Sequence, residues 1–176
     1  EQVEIGPLAT DDPSISFGVA AARALADGGV DGLWANALGC ELATRLGAGS
    51  VIIDPRRGDG PIGAGNYSFA ALATTESNIE RNPDRIEAVI RAIVRAQSII
   101  SSEPQRAAEV VRKLFPTTEA ELIDHILVRD ADFYRPSISI EAIDEMNRFA
   151  ATVGLLSSLP PYEQIVATQF RHLWSK

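Results

Sequence analysis

A chain of 176 residues has the length of about one domain of roughly 150 residues, and its hydrophobic content of 45% is sufficient for an ordinary globular core. A net charge of −8 argues against a nucleic-acid partner, because no basic stripe is available to neutralise phosphates. The single cysteine, Cys40, excludes an internal disulfide, and the two histidines, His125 and His172, lie too far apart in sequence for metal-ligand spacing. We therefore expect no metal and no cofactor; we also expect no signal peptide, and no apolar run reaches about 20 residues.

Up to residue 75 the pattern alternates between strand and helix. Residues 3–8 alternate apolar and polar side chains, and residues 30–35 and 50–53 are short apolar runs beside glycine or proline. Between them, residues 14–26 and 37–46 have helical spacing, and Gly28 and Gly29 end the first of these helices. A β-α-β-α-β order predicts a parallel sheet with right-handed crossovers. Because this pattern starts at the first residue, it also predicts a processed, trimmed or truncated chain.

A glycine- and proline-rich loop covers residues 55–65 and carries Arg56 and Arg57. These two arginines are either solvated loop charges or contacts for a substrate anion. Residues 67–75 alternate aromatic or aliphatic side chains with small polar ones, which predicts a longer strand.

After residue 75 the pattern becomes helical. Asn82-Pro83-Asp84 is typical of a helix start, with Asn82 as the cap and Pro83 at the first position. The predicted helices of this half cover residues 83–100, 104–114, 117–133, 139–153 and 161–174.

Several short motifs of the chain resemble motifs of one protein family. Ala24-Leu25, then Val30-Asp31-Gly32, then the aromatic Trp34 resembles the second lobe of periplasmic solute-binding proteins of the nitrate/sulfonate/taurine and thiamine-pyrimidine-precursor type, in which alanine is usual in place of Gly32. The helical half is similar to the same family in four motifs: Asn82-Pro83-Asp84, Glu103-Pro104-Gln105, Gly154-Leu155-Leu156 and Pro161-Tyr162.

The resemblance implies an α/β fold of the type II periplasmic-binding-protein kind, with a parallel or mixed sheet lobe followed by a helix-rich part. Residues 1–66 would be the latter part of lobe two, and residues 67–176 the C-terminal part of lobe one. The implied function is the extracytoplasmic solute-binding component of an ABC importer, which closes on a small polar or anionic organic molecule and delivers it to a permease. The ligand could be a sulfonate, a nitrate-like anion or a pyrimidine.

Seven residues are candidate ligand contacts at strand ends and crossings. Six of them have a structural alternative: helix capping for Asn36, Thr10, Asp11 and Ser14, a core position for Trp34, and hinge packing for Tyr67. The candidates are Thr10, Asp11, Ser14, Trp34, Asn36, Asn66 and Tyr67.

No arrangement of residues typical of catalysis is present, so we expect no enzyme activity. Cys40 is expected to be a buried, inert thiol, and His125 to be exposed or locally paired. Asp130 and Asp132, beside Arg129 and Arg135, are expected on a solvated face. Two alternatives remain open on the same scaffold: an enzyme similar to the thiamine-pyrimidine synthases, and a ligand-sensing domain.

A last expectation concerns association. If the first half of a two-lobe fold is missing, strand edges and apolar faces stay uncovered. The chain should then form a homodimer, exchange elements between copies or aggregate, and it should bind solutes weakly.

Overall fold

The structure is a computed structural model, described here for residues 3–8, 15–60, 63–66 and 70–174. The chain divides into two compact units, Glu1–Ile52 with Ala107–Arg129, and Ile53–Arg106 with Asp130–Lys176. Within the described ranges the regular elements are eight α-helices and four 3₁₀ helices. The α-helices are α1 Phe17–Ala26, α2 Ala37–Arg45, α3 Glu76–Arg81, α4 Pro83–Ser102, α5 Pro104–Leu114, α6 Thr117–Arg129, α7 Ile140–Thr152 and α8 Tyr162–Ile165; the 3₁₀ helices are Pro55–Arg57, Ala64–Asn66, Ala131–Phe133 and Thr168–Leu173.

The predicted α/β fold is wrong. Residues 3–8, 30–35, 50–53 and 70–75 have no strand structure, and the part of the chain that the structure describes is helical. A strand requires a neighbouring strand for its backbone hydrogen bonds, whereas a helix satisfies them internally. The predicted strand at 67–75 begins outside the described residues, and the predicted division at residue 66 stays a prediction.

The helix predictions succeed where the start signal is local. Pro83 and Pro104 each occupy the first position of their helix, and Ser139 caps α7 by accepting a hydrogen bond from the amide of Ala142 at 3.1 Å. The predicted cap at Asn82 is wrong in mechanism, because its side chain donates to Asn78 Oδ1 at 2.9 Å and does not cap α4.

Three further helix predictions need correction. The helix predicted over 117–133 ends at Arg129, and the 3₁₀ helix Ala131–Phe133 follows it. Helix α3 was not expected; Thr75, assigned to the end of a strand, caps it through Oγ1, which accepts from the amide of Asn78 at 3.3 Å. The continuous helix predicted over 161–174 is instead α8 followed by the 3₁₀ helix Thr168–Leu173.

The first unit is built on a close crossing of α1 and α2. A Cβ on Gly39 would lie 2.8 Å from the carbonyl oxygen of Gly18 and 2.9 Å from its Cα. Only residues without a side chain allow the two backbones to approach this closely. Small and aliphatic residues of this unit form its core: Val19, Ala21, Ala22, Ala43, Ala108, Ala120, Leu122, Ile126 and Leu127.

The second unit has two small apolar clusters. In one, Ile86 of α4 packs with Phe170 and Leu173 of the terminal 3₁₀ helix. In the other, Ile143 of α7 packs with Tyr162 and Val166, and Trp174 lies against them. Helix α7 therefore packs against the segment around α8 in this unit.

Candidate functional site

Four of the seven predicted ligand contacts, Thr10, Asp11, Ser14 and Tyr67, lie outside the described residues. Of the others, Trp34 and Asn36 belong to the first unit, two residues apart, and Asn66 ends the 3₁₀ helix Ala64–Asn66 of the second unit. Asn66 is exposed.

Trp34 lies on the surface, with 85% of its area exposed. Its indole is therefore not a core aromatic, which was the alternative to a ligand contact. An exposed tryptophan offers a large, rigid apolar face and one N–H donor.

Asn36 is the N-cap of α2. Its Oδ1 accepts a hydrogen bond from the amide of Gly39 at 3.1 Å, and the same oxygen lies directly against Gly18. The side-chain oxygen therefore caps helix α2, as the capping alternative predicts. It also lies at the crossing of α1 and α2.

A polar cluster of the second unit joins Asp54 and the 3₁₀ helix Pro55–Arg57 to Asp130. Arg56 Nη1 donates to Asp130 Oδ2 at 3.0 Å, and Arg57 Nη2 donates to Asp130 Oδ1 at 2.8 Å. Both guanidinium groups lie over the ring of Phe133, at 5.0 and 5.3 Å from its centre. Asp130 is only 2% exposed, so the expectation of a solvated face is wrong for this residue, although Asp132 is exposed.

Asp54 completes this cluster from its own loop. Arg56 donates to both of its carboxylate oxygens at 2.9 Å, and Arg57 Nε lies 3.2 Å from Oδ2. The hydrogen bonds from Arg56 lower the pKa of Asp54, against a smaller opposing effect of burial, and Asp54 in turn raises the pKa of Arg56. Because two carboxylates balance two guanidinium groups, the cluster is neutral and is better suited to holding the loop than to binding an anion.

A shallow depression of about 530 Å³ lies on α6 and α2 in the first unit. It is lined by Glu41, Asp124, His125, Val128 and Arg129. Arg129 Nη1 donates to Glu41 at 2.7 Å, and Arg112 Nη2 donates to Asp124 at 2.7 Å, so both carboxylates have cationic partners. Within the described ranges no group of three or more histidine, cysteine or carboxylate side chains could hold a metal ion.

A second, open cleft of about 570 Å³ lies in the second unit, at the amino end of α7. Tyr162 forms its floor and donates its hydroxyl to the carbonyl oxygen of Ile138 at 2.6 Å. Arg171 lies over Tyr162 at 5.6 Å and beside Trp174 at 5.9 Å from the ring centres. The lining comprises Ser137, Ile138, Ser139, Ile140, Glu141, Tyr162, Arg171 and Trp174.

Sequence reasoning missed this cleft. Its residues come from three separate segments, and the only signal was an arginine close in sequence to two aromatic residues near the C-terminal end. The local sequence did not indicate that Tyr162 would also lie against Arg171.

Catalytic groups are not brought together in the part of the chain described. His172 Nδ1 lies 3.1 Å from the carbonyl oxygen of Gln169, and its Nε2 lies 3.9 Å from Glu87. Cys40 is half-buried, with Sγ 3.9 Å from the carbonyl oxygen of Ala35. Neither of these contacts pairs a nucleophile with a general base.

No family model, curated protein or solved structure matches the chain. Among the described residues, the helices are all too short or too polar to cross a lipid bilayer.

Proposed function

We propose that this chain is the solute-binding component of an ABC importer, located outside the cytoplasm. It would bind a small polar or anionic organic molecule, such as a sulfonate, a nitrate-like anion or a pyrimidine, and deliver it to a membrane permease. Support comes from the resemblance of its motifs, in order along the chain, to periplasmic solute-binding proteins. The α/β lobe implied by the same resemblance is not part of the proposal, because the described residues are helical.

The observation that carries the proposal is the exposure of Trp34. A tryptophan that is 85% exposed has an apolar face that the described residues leave uncovered, next to a fixed helix start at Asn36. Small-solute sites combine such aromatic walls with a few polar groups that fix the orientation of the ligand. Trp34 stands at the position where the resemblance places a ligand-facing aromatic residue.

In this proposal the chain binds its solute and does not catalyse a reaction. His172 contacts a backbone carbonyl oxygen and Glu41 pairs with Arg129, and neither contact is typical of a nucleophile–base arrangement. We therefore expect no turnover of ester, phosphate or nicotinamide substrates by the purified chain.

Tryptophan indole resonances provide a direct test. The chain, labelled with ¹⁵N, is titrated to millimolar concentration with an alkanesulfonate, nitrate and a pyrimidine in turn. At least one of these solutes should shift the indole signal of Trp34, and the substitution Trp34→Ala should abolish binding. Trp174→Phe is the matched control and should leave that binding unchanged. Absence of any shift at Trp34 with all three solutes would contradict the proposal.

The genomic context is a second, independent test. Genes for a permease and an ATPase beside the coding sequence, with a secretory or lipoprotein signal in the full-length product, are expected for an importer. A gene fused or adjacent to a DNA-binding or signalling segment would instead favour the sensor alternative.

A further inference from the structure

Arg171 is an exposed cation that lies over two aromatic rings in the cleft of the second unit. Its guanidinium lies 5.6 Å from the ring centre of Tyr162 and 5.9 Å from that of Trp174, and Tyr162 is only 6% exposed. None of the ion pairs formed within the described ranges includes Arg171. The aromatic contacts restrict the side chain, so less conformational entropy is lost when an anion binds.

The amino end of α7 lines the same cleft. Ser139 Oγ accepts from the amide of Ala142, so the cap occupies one of the first-turn donors. The amides of Ile140 and Glu141 have no acceptor within a helix at these positions, and both residues line the cleft. The helix start therefore adds N–H donors and a positive potential to the field of Arg171.

Two apolar side chains of the lining, Ile138 and Trp174, are supported by a buried cluster. Trp174 lies against the cluster of Ile143, Tyr162 and Val166, and Ile138 packs on it too. The cleft, of about 570 Å³, is open to solvent over most of its extent, so a ligand would lie against its lining without being enclosed. A ligand with an apolar body and one charged end would match these surfaces.

We propose that this cleft binds a small organic anion, with its carboxylate, sulfonate or phosphate group on Arg171 and its apolar body against Trp174. Arg171 is a binding residue whose planar guanidinium can form two parallel hydrogen bonds with the anion. Glu141 also lines the cleft, and its negative charge opposes the anion and limits affinity. The proposal uses neither Trp34 nor the importer proposal.

The probe is benzenesulfonate, followed through the indole resonance of Trp174 in the full ¹⁵N-labelled chain. Benzenesulfonamide is the neutral control of the same shape, and inorganic sulfate tests the anion without its apolar body. We expect benzenesulfonate to shift Trp174, benzenesulfonamide not to shift it, and sulfate to bind at least about tenfold more weakly than benzenesulfonate.

Substitutions then test whether Arg171 binds the anion. Arg171→Gln should weaken benzenesulfonate binding by about tenfold or more, Arg171→Lys should weaken it by less, and Glu141→Gln should strengthen it. Arg95→Gln, at an exposed position of α4, removes the same charge and is the matched control. Circular dichroism checks that each variant is folded, and Arg171→Lys keeps the test informative if Arg171→Gln does not fold.

Three results would overturn the proposal. The first is equal binding by Arg171→Gln and Arg95→Gln, and the second is equal binding of benzenesulfonamide and benzenesulfonate. The third is a shift confined to residues outside the cleft. A shift of the Trp174 signal that depends on Arg171, without any shift of the Trp34 signal, would support this site. The same result would count against the importer proposal only.

Discussion

Arg57 and Asp130 are 73 residues apart in sequence, and their Nη2 and Oδ1 atoms are joined by a hydrogen bond of 2.8 Å. Arg56 reaches the other oxygen of the same carboxylate at 3.0 Å. Asp130 is thus a buried acceptor for two guanidinium groups that both rest on Phe133. The contact attaches the loop around Pro55–Arg57 to the segment that follows α6.

Asp130→Ala should lower the free energy of unfolding by about 2 kcal/mol, since it removes the shared acceptor of two charge-assisted hydrogen bonds. The loss is smaller than for a fully buried pair, because Arg56 and Arg57 are about 40% exposed and can be rehydrated. Urea denaturation measures the change. Asp132→Ala, at an exposed neighbouring position, should change stability by less than about 0.5 kcal/mol, and equal effects of the two substitutions would contradict the assignment.

The lowered pKa of Asp54 predicts a specific dependence on pH. Hydrogen bonds from Arg56 favour the charged carboxylate, so the folded state has a pKa below the ordinary value of 3.8. Between the two values the unfolded state binds more protons, and stability therefore rises with pH. The contribution of Asp54 is complete above pH 3.8 and is lost as the pH falls through the folded-state value.

A carboxyl ¹³C titration should place the midpoint of Asp54 below the ordinary value of 3.8. The difference in unfolding free energy between the wild type and Asp54→Asn, about 1 kcal/mol or less at neutral pH, should shrink on acidification. A midpoint at or above the ordinary value would show that Arg56 does not favour the charged form.

The crossing of α1 and α2 depends on glycine at two positions. Gly39→Ala would place a Cβ 2.8 Å from the carbonyl oxygen of Gly18, and the helices would have to separate. We expect a loss of about 1–3 kcal/mol despite the higher helix propensity of alanine. Gly32→Ala is the control, since nothing lies within 4 Å of its added Cβ. Thermal unfolding of the two variants compares them, and a stabilised Gly39→Ala protein would contradict the close crossing.

Residues 51–53 form an exposed apolar segment, in which Ile52 is 87% exposed. Within the described ranges their amides donate no backbone hydrogen bonds. Such a segment favours association with a second copy of the chain. Ile52→Lys should therefore weaken self-association by about tenfold, whereas Gln105→Lys, of equal charge change on an exposed surface, should not. Sedimentation over a range of concentrations measures this, and a wild-type chain that stays monomeric throughout would remove the basis for the expected homodimer.

The helix starts were the part of the fold most open to prediction from sequence. Pro83, Pro104 and Ser139 act through their own backbone geometry or through hydrogen bonds to residues three positions away. The same locality explains why Asn36 could be predicted as a cap before its bond to Gly39 was seen. The segment 161–174 was harder, since its helical spacing did not reveal the break between α8 and the 3₁₀ helix.

The sequence by itself determined where most helices begin and end, because a helix satisfies its backbone within a few neighbouring residues. Only the tertiary structure decided the state of the apolar runs at 30–35 and 50–53, because a strand depends on a partner that may be far away in sequence. It also decided that Asp130 is buried against Arg56 and that Arg171 lies between Tyr162 and Trp174. The first of these contacts joins residues 74 positions apart, and local spacing carries no information about which distant side chains will meet.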